Sequence, residues 1–251
     1  MTDARVAMLF GAGLAAGVVG SAGGTASLIS YPALLAAGLP PLPANVANSL
    51  AVVAAWPGSA LSSRPELRGQ GARLLRWVPV TIAGTIAGAF LLLSTPAAVF
   101  DKVVPFLLAF AALALLLQPW ISGWLARRTV AGEERFLMPG GLLATSCYNG
   151  YWGAGSGIMT LALLLIGVRQ EPVRSNAAKN MLLGISDVTC CAVFILRWHI
   201  EWTAVLPLAA GFLGGATIGP AVARRLAGNA LRIVAALAGL GLAADLWVTG
   251  R

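Results

Sequence analysis

Apolar residues occur along this chain in ten runs of helical length, separated by short links that contain polar residues, proline or glycine. A membrane-spanning helix needs about 20 predominantly apolar residues. The first, second, sixth and seventh runs are shorter than this, so each short pair is predicted to form a broken helix or a re-entrant hairpin. The runs are Val6–Val19, Thr25–Leu39, Ala44–Ser63, Leu74–Ser94, Ala97–Gln118, Phe136–Gly150, Gly157–Val168, Asn176–Arg197, Trp202–Val222 and Ala230–Val248.

The second five runs repeat the first five. The stretch GVVGSAGGTASL (Gly17–Leu28) resembles GYWGAGSGIMTL (Gly150–Leu161), and PANVANSLA (Pro43–Ala51) resembles RSNAAKNML (Arg174–Leu182). Because each half holds an odd number of runs, the second copy should be inverted in the membrane. The pattern predicts an all-α polytopic membrane protein with two inverted repeats, eight to ten membrane helices and short broken or re-entrant helices. The predicted divisions are a first repeat over 1–118, a cytoplasmic linker over 119–135 and a second repeat over 136–251.

Glycines and small polar residues interrupt the apolar pattern at the same place in both halves. Inverted repeats with interrupted helices are typical of secondary transporters, whose sites lie near the membrane midplane where the repeats meet. The helices that start near Thr25 and Ile158 would each present a positive N-terminal end, which favours an anion. Close helix packing is the alternative role for such glycines. We favour packing for AGTIAGA (Ala83–Ala89) and for Gly211, Gly215 and Gly219, and an anion site for the two breaks.

Composition agrees with a membrane protein. The chain is 58% hydrophobic and 10% charged, with a mean hydropathy of +0.83, whereas soluble domains are about 25% charged. The net charge of +8 does not indicate nucleic-acid binding, because the basic residues cluster in short links between apolar runs. If the links alternate sides, 13 of the 17 basic residues share one side, which the positive-inside rule makes cytoplasmic. Both termini are then extracytoplasmic. The thirteen are Arg64, Arg68, Arg73, Arg76, Arg127, Arg128, Arg135, Arg169, Arg174, Lys179, Arg224, Arg225 and Arg232.

Polar residues inside the apolar runs are the candidates for chemistry, since such groups are costly in a bilayer. Lys179 is predicted to be the counter-charge of a bound anion, or else to extend its ammonium group to the cytoplasmic surface. The amides and hydroxyl of Asn45, Asn48, Ser49, Asn176 and Asn180 could donate to an oxyanion or join neighbouring helices.

A carboxylate and an aromatic group complete the candidates. Asp187 is a candidate coupling group, because a desolvated carboxylate can take up a proton, or it could cap polar groups of a neighbouring helix. Tyr148, Tyr151 and Trp152 flank the second glycine break as a gate or as interface anchors.

Other functional classes are disfavoured. The chain has one histidine and three cysteines, without a C-x-x-C pair, an H-E-x-x-H motif or a G-x-S-x-G motif, so we predict no catalytic residues, no metal site and no cofactor. A membrane-embedded enzyme and a metal-ion carrier therefore remain only as weaker alternatives, beside a carrier or channel for another small anion. No ATP-binding loop is present, so a gradient or a separate subunit must supply energy.

The stretch GVVGSAGGTASLISYPALLAAGLPPLPANVANSLAVV and its second copy resemble the sulfite exporter TauE/SafE family of membrane permeases. This resemblance covers essentially the whole chain. It implies a multi-pass protein of a bacterial-type inner membrane that exports or takes up a small sulfur-containing anion such as sulfite, a sulfonate or sulfoacetate, and we predict export. Its expected partners are that anion and the lipid bilayer, with a homo-oligomer possible and no nucleic acid. The predicted substrate-binding residues are Gly20, Ser21, Gly23, Gly24, Thr25, Asn45, Asn48, Ser49, Gly153, Gly155, Ser156, Gly157, Asn176, Lys179 and Asn180.

Overall fold

The computed structural model describes residues 2–21, 26–125, 134–168, 170–225 and 228–249, and every regular element in these ranges is helical. The all-α prediction is therefore confirmed. In the first half the helices are α1 (Asp3–Ser21), α2 (Ser27–Ala36), α3 (Pro41–Val52), α4 (Trp56–Ser62), α5 (Arg64–Leu67), α6 (Gly71–Ser94) and α7 (Ala97–Leu125). In the second half they are α8 (Glu134–Tyr151), α9 (Ser156–Gly167), α10 (Pro172–Arg197), α11 (Trp202–Arg225) and α12 (Gly228–Thr249).

Most helix boundaries follow local chemistry. Pro41 and Pro172 stand in the first turns of α3 and α10, where a missing backbone N–H costs nothing. The described ends of the linker predicted over 119–135 are helical, because α7 continues to Leu125 and α8 begins at Glu134.

Within the described ranges, four helices are long and apolar enough to cross a membrane by length and composition: Asp3–Gly20, Gly71–Ser94, Ala97–Ile121 and Pro172–Arg197. The shorter apolar helices include α2 and α9, which follow the two glycine-rich breaks. Many large apolar side chains are exposed on the outer faces of the long helices, for example Phe106, Leu113 and Leu206. Such a surface suits lipid, and the chain is therefore a multi-pass membrane protein.

Close glycine contacts join the two halves. A Cβ at Gly17 would overlap the backbone of α11 at Phe212, and a Cβ at Gly150 would overlap the backbone of α6 at Thr85. The packing role predicted for the α6 and α11 glycines is confirmed where side chains are described. Gly84 and Gly88 lie against α8, and Gly211 and Gly215 lie against α1; Gly219 has no described surroundings.

The third apolar run folds differently in the two halves. In the first half it is divided into α3, a 3-10 turn over Val53–Ala55, and α4. In the second half the corresponding run forms one continuous helix, α10, of 26 residues. Pro57 in the first turn of α4 has no backbone N–H to donate to the preceding turn, which accounts for an interruption at this point.

Candidate functional site

A cavity of about 180 Å³ lies where the two halves meet. Its walls come from α1, α2, α3 and α4 of the first half and from α8, α9, α10 and α11 of the second, with one residue, Gln118, from α7. Of the predicted substrate-binding residues, the cavity is lined by Gly20, Asn48, Ser49, Gly153, Gly155, Ser156, Gly157, Lys179 and Asn180. The predicted coupling residue Asp187 also lines it.

The second glycine break forms the turn between α8 and α9. Gly153 and Gly155 have φ angles of 83° and 86°, in the left-handed region that strains residues with a Cβ. The Tyr148 hydroxyl donates to the Ala154 carbonyl at 2.8 Å and fixes the turn. The helix α9 therefore starts at Ser156 with its N-terminal turn on the cavity wall.

Lys179 lies beside this helix start. Its Cδ is 3.9 Å from the position that a Cβ would take on Gly157, in the first turn of α9. The Lys179 side chain is half-buried and lines the cavity, and no hydrogen-bond or ion-pair partner is found for its ammonium group among the described residues. A fixed positive charge and the positive end of a helix thus border the same small volume.

Asn149, at the end of α8, joins this helix start to α10. Its amide oxygen accepts a hydrogen bond from Ser156 Oγ at 2.5 Å. Its amide nitrogen donates to Ser186 Oγ and to Asp187 Oδ1, both at 2.8 Å. The carboxylate of Asp187 is thus held at the cavity by a neutral donor and forms no ion pair with a described residue.

The first half holds its polar side chains differently. Asn48 donates from Nδ2 to Ser27 Oγ at 3.0 Å and accepts from Ser30 Oγ at 2.5 Å. Ser49 Oγ donates to the Asn45 carbonyl at 3.0 Å, within α3. Asn48 is 3% exposed although it borders the cavity, so its amide is committed to the α2–α3 contact.

Three further candidates have other surroundings. Asn45 donates from Nδ2 to the Tyr151 carbonyl at 2.9 Å and does not line the cavity. Asn180 lines it while donating to Ser63 Oγ at 3.2 Å. Asn176 is exposed and lies away from the cavity wall. Of the candidates in the first break, Gly23, Gly24 and Thr25 lie outside the described residues, and the side chain of Ser21 is not described.

The same register positions of the third run border the cavity in both halves. Asn48, Ser49, Val52, Trp56 and Ser59 face it from α3 and α4. At the same intervals along α10, the residues Lys179, Asn180, Leu183, Asp187 and Cys190 face it from the other side. The paired helices therefore offer a neutral wall and a charged wall to one cavity.

Comparison with known proteins agrees with this architecture. The sequence profile of the Sulfite exporter TauE/SafE family matches residues 9–246. The chain belongs to this family. A protein of Haemophilus influenzae, described as a probable membrane transporter protein, is 31% identical over 85% of this chain and 83% of its own length.

Two further relatives of this TauE/SafE chain have similar descriptions. The Escherichia coli K12 probable membrane transporter protein YfcA is 26% identical over 82% of this chain and 77% of its own length. The Sinorhizobium probable membrane transporter protein ORF9 is 26% identical over 96% of this chain and 92% of its own length. No solved structure matches the chain. The protein is thus a membrane transporter, and the family and its relatives suggest a permease without enzymatic activity.

Two lining residues of this TauE/SafE protein, Asn149 and Trp56, are absent from the sequence-based candidates. Asn149 directly precedes the glycine break and is the last amide of an apolar run. This position could have marked it as a candidate site residue from the sequence. Trp56 would have emerged by extending the repeat alignment beyond Ala51, because it then pairs with Asp187.

Proposed function

We propose that this protein is a secondary transporter, acting as an exporter, of a small sulfur-containing anion such as sulfite or an organosulfonate. This proposal rests mainly on the position of Lys179 beside the first turn of α9, on the wall of the cavity between the halves. The ammonium group and the helix N-terminus attract an anion into one volume. Low surrounding dielectric strengthens both interactions. The proposed outward direction of transport is based on the membrane potential, since an interior-negative potential favours outward anion movement by about 2.3 kcal/mol per charge per 100 mV.

We also propose that the halves are inverted repeats and that the cavity lies on their pseudo-two-fold axis. Support comes from the packing pairs, because α1 against α11 and α8 against α6 are the same contact with the halves exchanged. The helices α7 and α12, which correspond to each other, pack together. The cavity-lining residues of α3–α4 and of α10 occur at matching intervals, which also supports a two-fold relation between the halves. In this family of folds, rocking of one repeat against the other would expose the site alternately to each side.

Asp187 is the proposed coupling residue. An anion entering the cavity repels an ionised carboxylate on the same wall, so anion binding favours protonation of Asp187. Its hydrogen bond from Asn149 places the carboxylate beside α9 through Ser156. A dianion that binds with one proton still carries net negative charge outward.

A substrate panel tests the proposed function. Purified protein is heated with sulfite, sulfate, thiosulfate or methanesulfonate, and the midpoint of unfolding is measured against sodium chloride at equal ionic strength. A ligand at 100 times its Kd should stabilise the folded state by about 2.7 kcal/mol. Flux of the stabilising anion is then measured in proteoliposomes. Absence of both stabilisation and flux for all four anions would contradict a sulfur-oxyanion substrate.

The proposed orientation has its own test. Arg68 is exposed in the loop before α6, and His199 is exposed between α10 and α11. Arg68→Cys should resist a membrane-impermeant maleimide on intact cells, whereas His199→Cys should react. Labelling is scored against the parent, whose three native cysteines provide the background. The reverse labelling pattern would invert the topology.

A further inference from the structure

Two tryptophans on the cavity wall have no acceptor for their indole N–H groups among the residues that the structure describes. Among the described residues, five buried side-chain polar atoms lack a hydrogen-bond partner, and the two nitrogens in this set are Nε1 of Trp56 and Nε1 of Trp152. Both residues line the cavity. The three oxygens belong to Gln70, Thr81 and Asp101, which do not line it. Both unsatisfied N–H groups of this set therefore lie at the proposed anion site, whereas the Thr81 hydroxyl, which can also donate, lies away from it.

The two indoles approach the cavity from different halves. Trp56 begins α4, directly after the 3-10 turn, and its pyrrole edge lies against Gly184 of α10. Trp152 is 2% exposed in the turn between α8 and α9, with its ring 4.9 Å from the ring of Tyr31 in an edge-on arrangement. Both N–H groups are shielded from solvent, so neither is satisfied by bulk water in this state.

Orphaned donors of this kind carry a free-energy cost. An unsatisfied buried donor costs about 1–3 kcal/mol, and native proteins keep few of them without a functional reason. An indole N–H is a donor only, so the group that relieves this cost must be an acceptor.

We propose that Trp56 and Trp152 are substrate-binding residues that donate their indole N–H groups to oxygens of the bound anion, after a small rotation of each ring into the cavity. With Lys179, the two indoles make a set of donors contributed by both halves. This set selects a ligand with several bare acceptor oxygens and no donor of its own, as in sulfite or a sulfonate. The inference rests on the proposed function and specifies how that same site recognises its substrate class.

A substitution at Gly184 provides an independent test of the role of Trp56. A Cβ on Gly184 would overlap the Trp56 indole, so Gly184→Ala forces the ring away from its place on α10. Gly184→Ala should therefore alter anion affinity while Trp56 is present and should have no further effect in the Trp56→Phe background, because both substitutions act on the same indole.

The experiment measures Kd for methanesulfonate and for sulfite by ligand-dependent thermal stabilisation of the purified full chain. Trp56→Phe and Trp152→Phe should each weaken binding by about tenfold to a hundredfold, the range for one hydrogen bond to a charged group. Trp247→Phe is the control, since Trp247 packs on Phe106 and does not line the cavity. Methanesulfonamide, which is neutral and carries an N–H donor, should bind the parent far more weakly than methanesulfonate.

Each outcome decides between the proposals. If the parent binds methanesulfonate or sulfite and the folded Trp56→Phe, Trp152→Phe double variant binds it equally well, the indole assignment is wrong and the proposed function stands. If the parent binds none of the sulfur oxyanions, both fail. Where Trp152→Phe does not fold, benzothienylalanine at position 152 keeps the ring shape without the N–H group. Parent-like affinity of that variant would also overturn the assignment.

Discussion

The third run of the first half and that of the second half face the same cavity with different chemistry. In α3–α4, Asn48 is hydrogen-bonded to two serines of α2, and the helix is interrupted before Trp56. In α10, Lys179 and Asp187 occupy the matching positions on an unbroken helix. Neither forms an ion pair with a described residue.

We propose that the two halves therefore have different roles in anion binding. A continuous helix keeps Lys179 and Asp187 at a fixed separation, and a fixed separation suits charges that must act together on a ligand. In the first half, the Asn48 amide is occupied in joining α2 to α3. This half therefore contributes the shape of the cavity wall and the Trp56 ring. In the proposed inverted repeat, duplication supplies equivalent scaffolds, and substitution within one of them supplies the charge.

The largest expected effects test whether the scaffolds are equivalent. Gly17→Ala and Gly150→Ala should each destabilise the fold by about 3 kcal/mol, the upper end for overpacking, because the obstacle is backbone of the neighbouring helix. Thermal unfolding in detergent measures the loss. Gly11→Ala is the matched control, since nothing lies within 4 Å of its added Cβ. Destabilisation by one variant alone would show that the two crossings do not correspond.

Loss of the positive charge on the α10 wall should have the next largest effect. Lys179→Ala should weaken anion binding by about 1.5–3 kcal/mol, the range for a hydrogen bond to a charged group. Lys179→Gln keeps a donor and should recover part of this loss. Affinity is measured by titration of the purified protein with methanesulfonate. If Lys179→Ala folds normally and binds as tightly as the parent, the lysine serves only to anchor α10 at the membrane surface.

Much of the fold follows from the sequence because it depends on chain-wide patterns. The apolar runs predict the helices, and the glycine spacing of AGTIAGA predicts a close helix crossing, for which the structure supplies α8 as the partner of α6. The second break was located correctly at Gly153–Gly157, since glycine tolerates the positive φ angles found there.

The site was predictable only in part. The repeat pairs Asn48 with Lys179, but the hydrogen-bond partners of Asn48 come from α2 and cannot be predicted from the spacing of residues within α3. Asn45 is a buried link to the Tyr151 carbonyl, and Asn176 is exposed, although the repeat pairs them. The network of Asn149 with Ser156 and Ser186 depends on tertiary contact between three helices.

Asp187 should determine the pH response of transport. Asp187→Asn keeps an acceptor for Asn149 but removes the proton-binding group. An imposed pH gradient should then no longer change the initial rate of flux of methanesulfonate, which stays ionised across this pH range, in proteoliposomes. Anion affinity at neutral pH should rise modestly, because a repelling charge is lost. The control is Glu171→Gln, at the exposed start of α10. A pH-gradient response equal to that of the parent would remove Asp187 from the coupling step.

The smallest expected effect concerns the neutral wall. Asn48→Ala should cost about 1 kcal/mol of folding free energy, the usual net value of a hydrogen bond. The loss stays small because Ser30 Oγ also has the Ala26 carbonyl as a partner, at 3.2 Å. Thermal unfolding measures it, with Asn176→Ala, an exposed amide, as the control. Methanesulfonate affinity should change by less than in Lys179→Ala. An equal loss of affinity in Asn48→Ala and Lys179→Ala would mean that the Asn48 amide contacts the anion as directly as Lys179 does, and its assignment to the α2–α3 contact alone would be wrong.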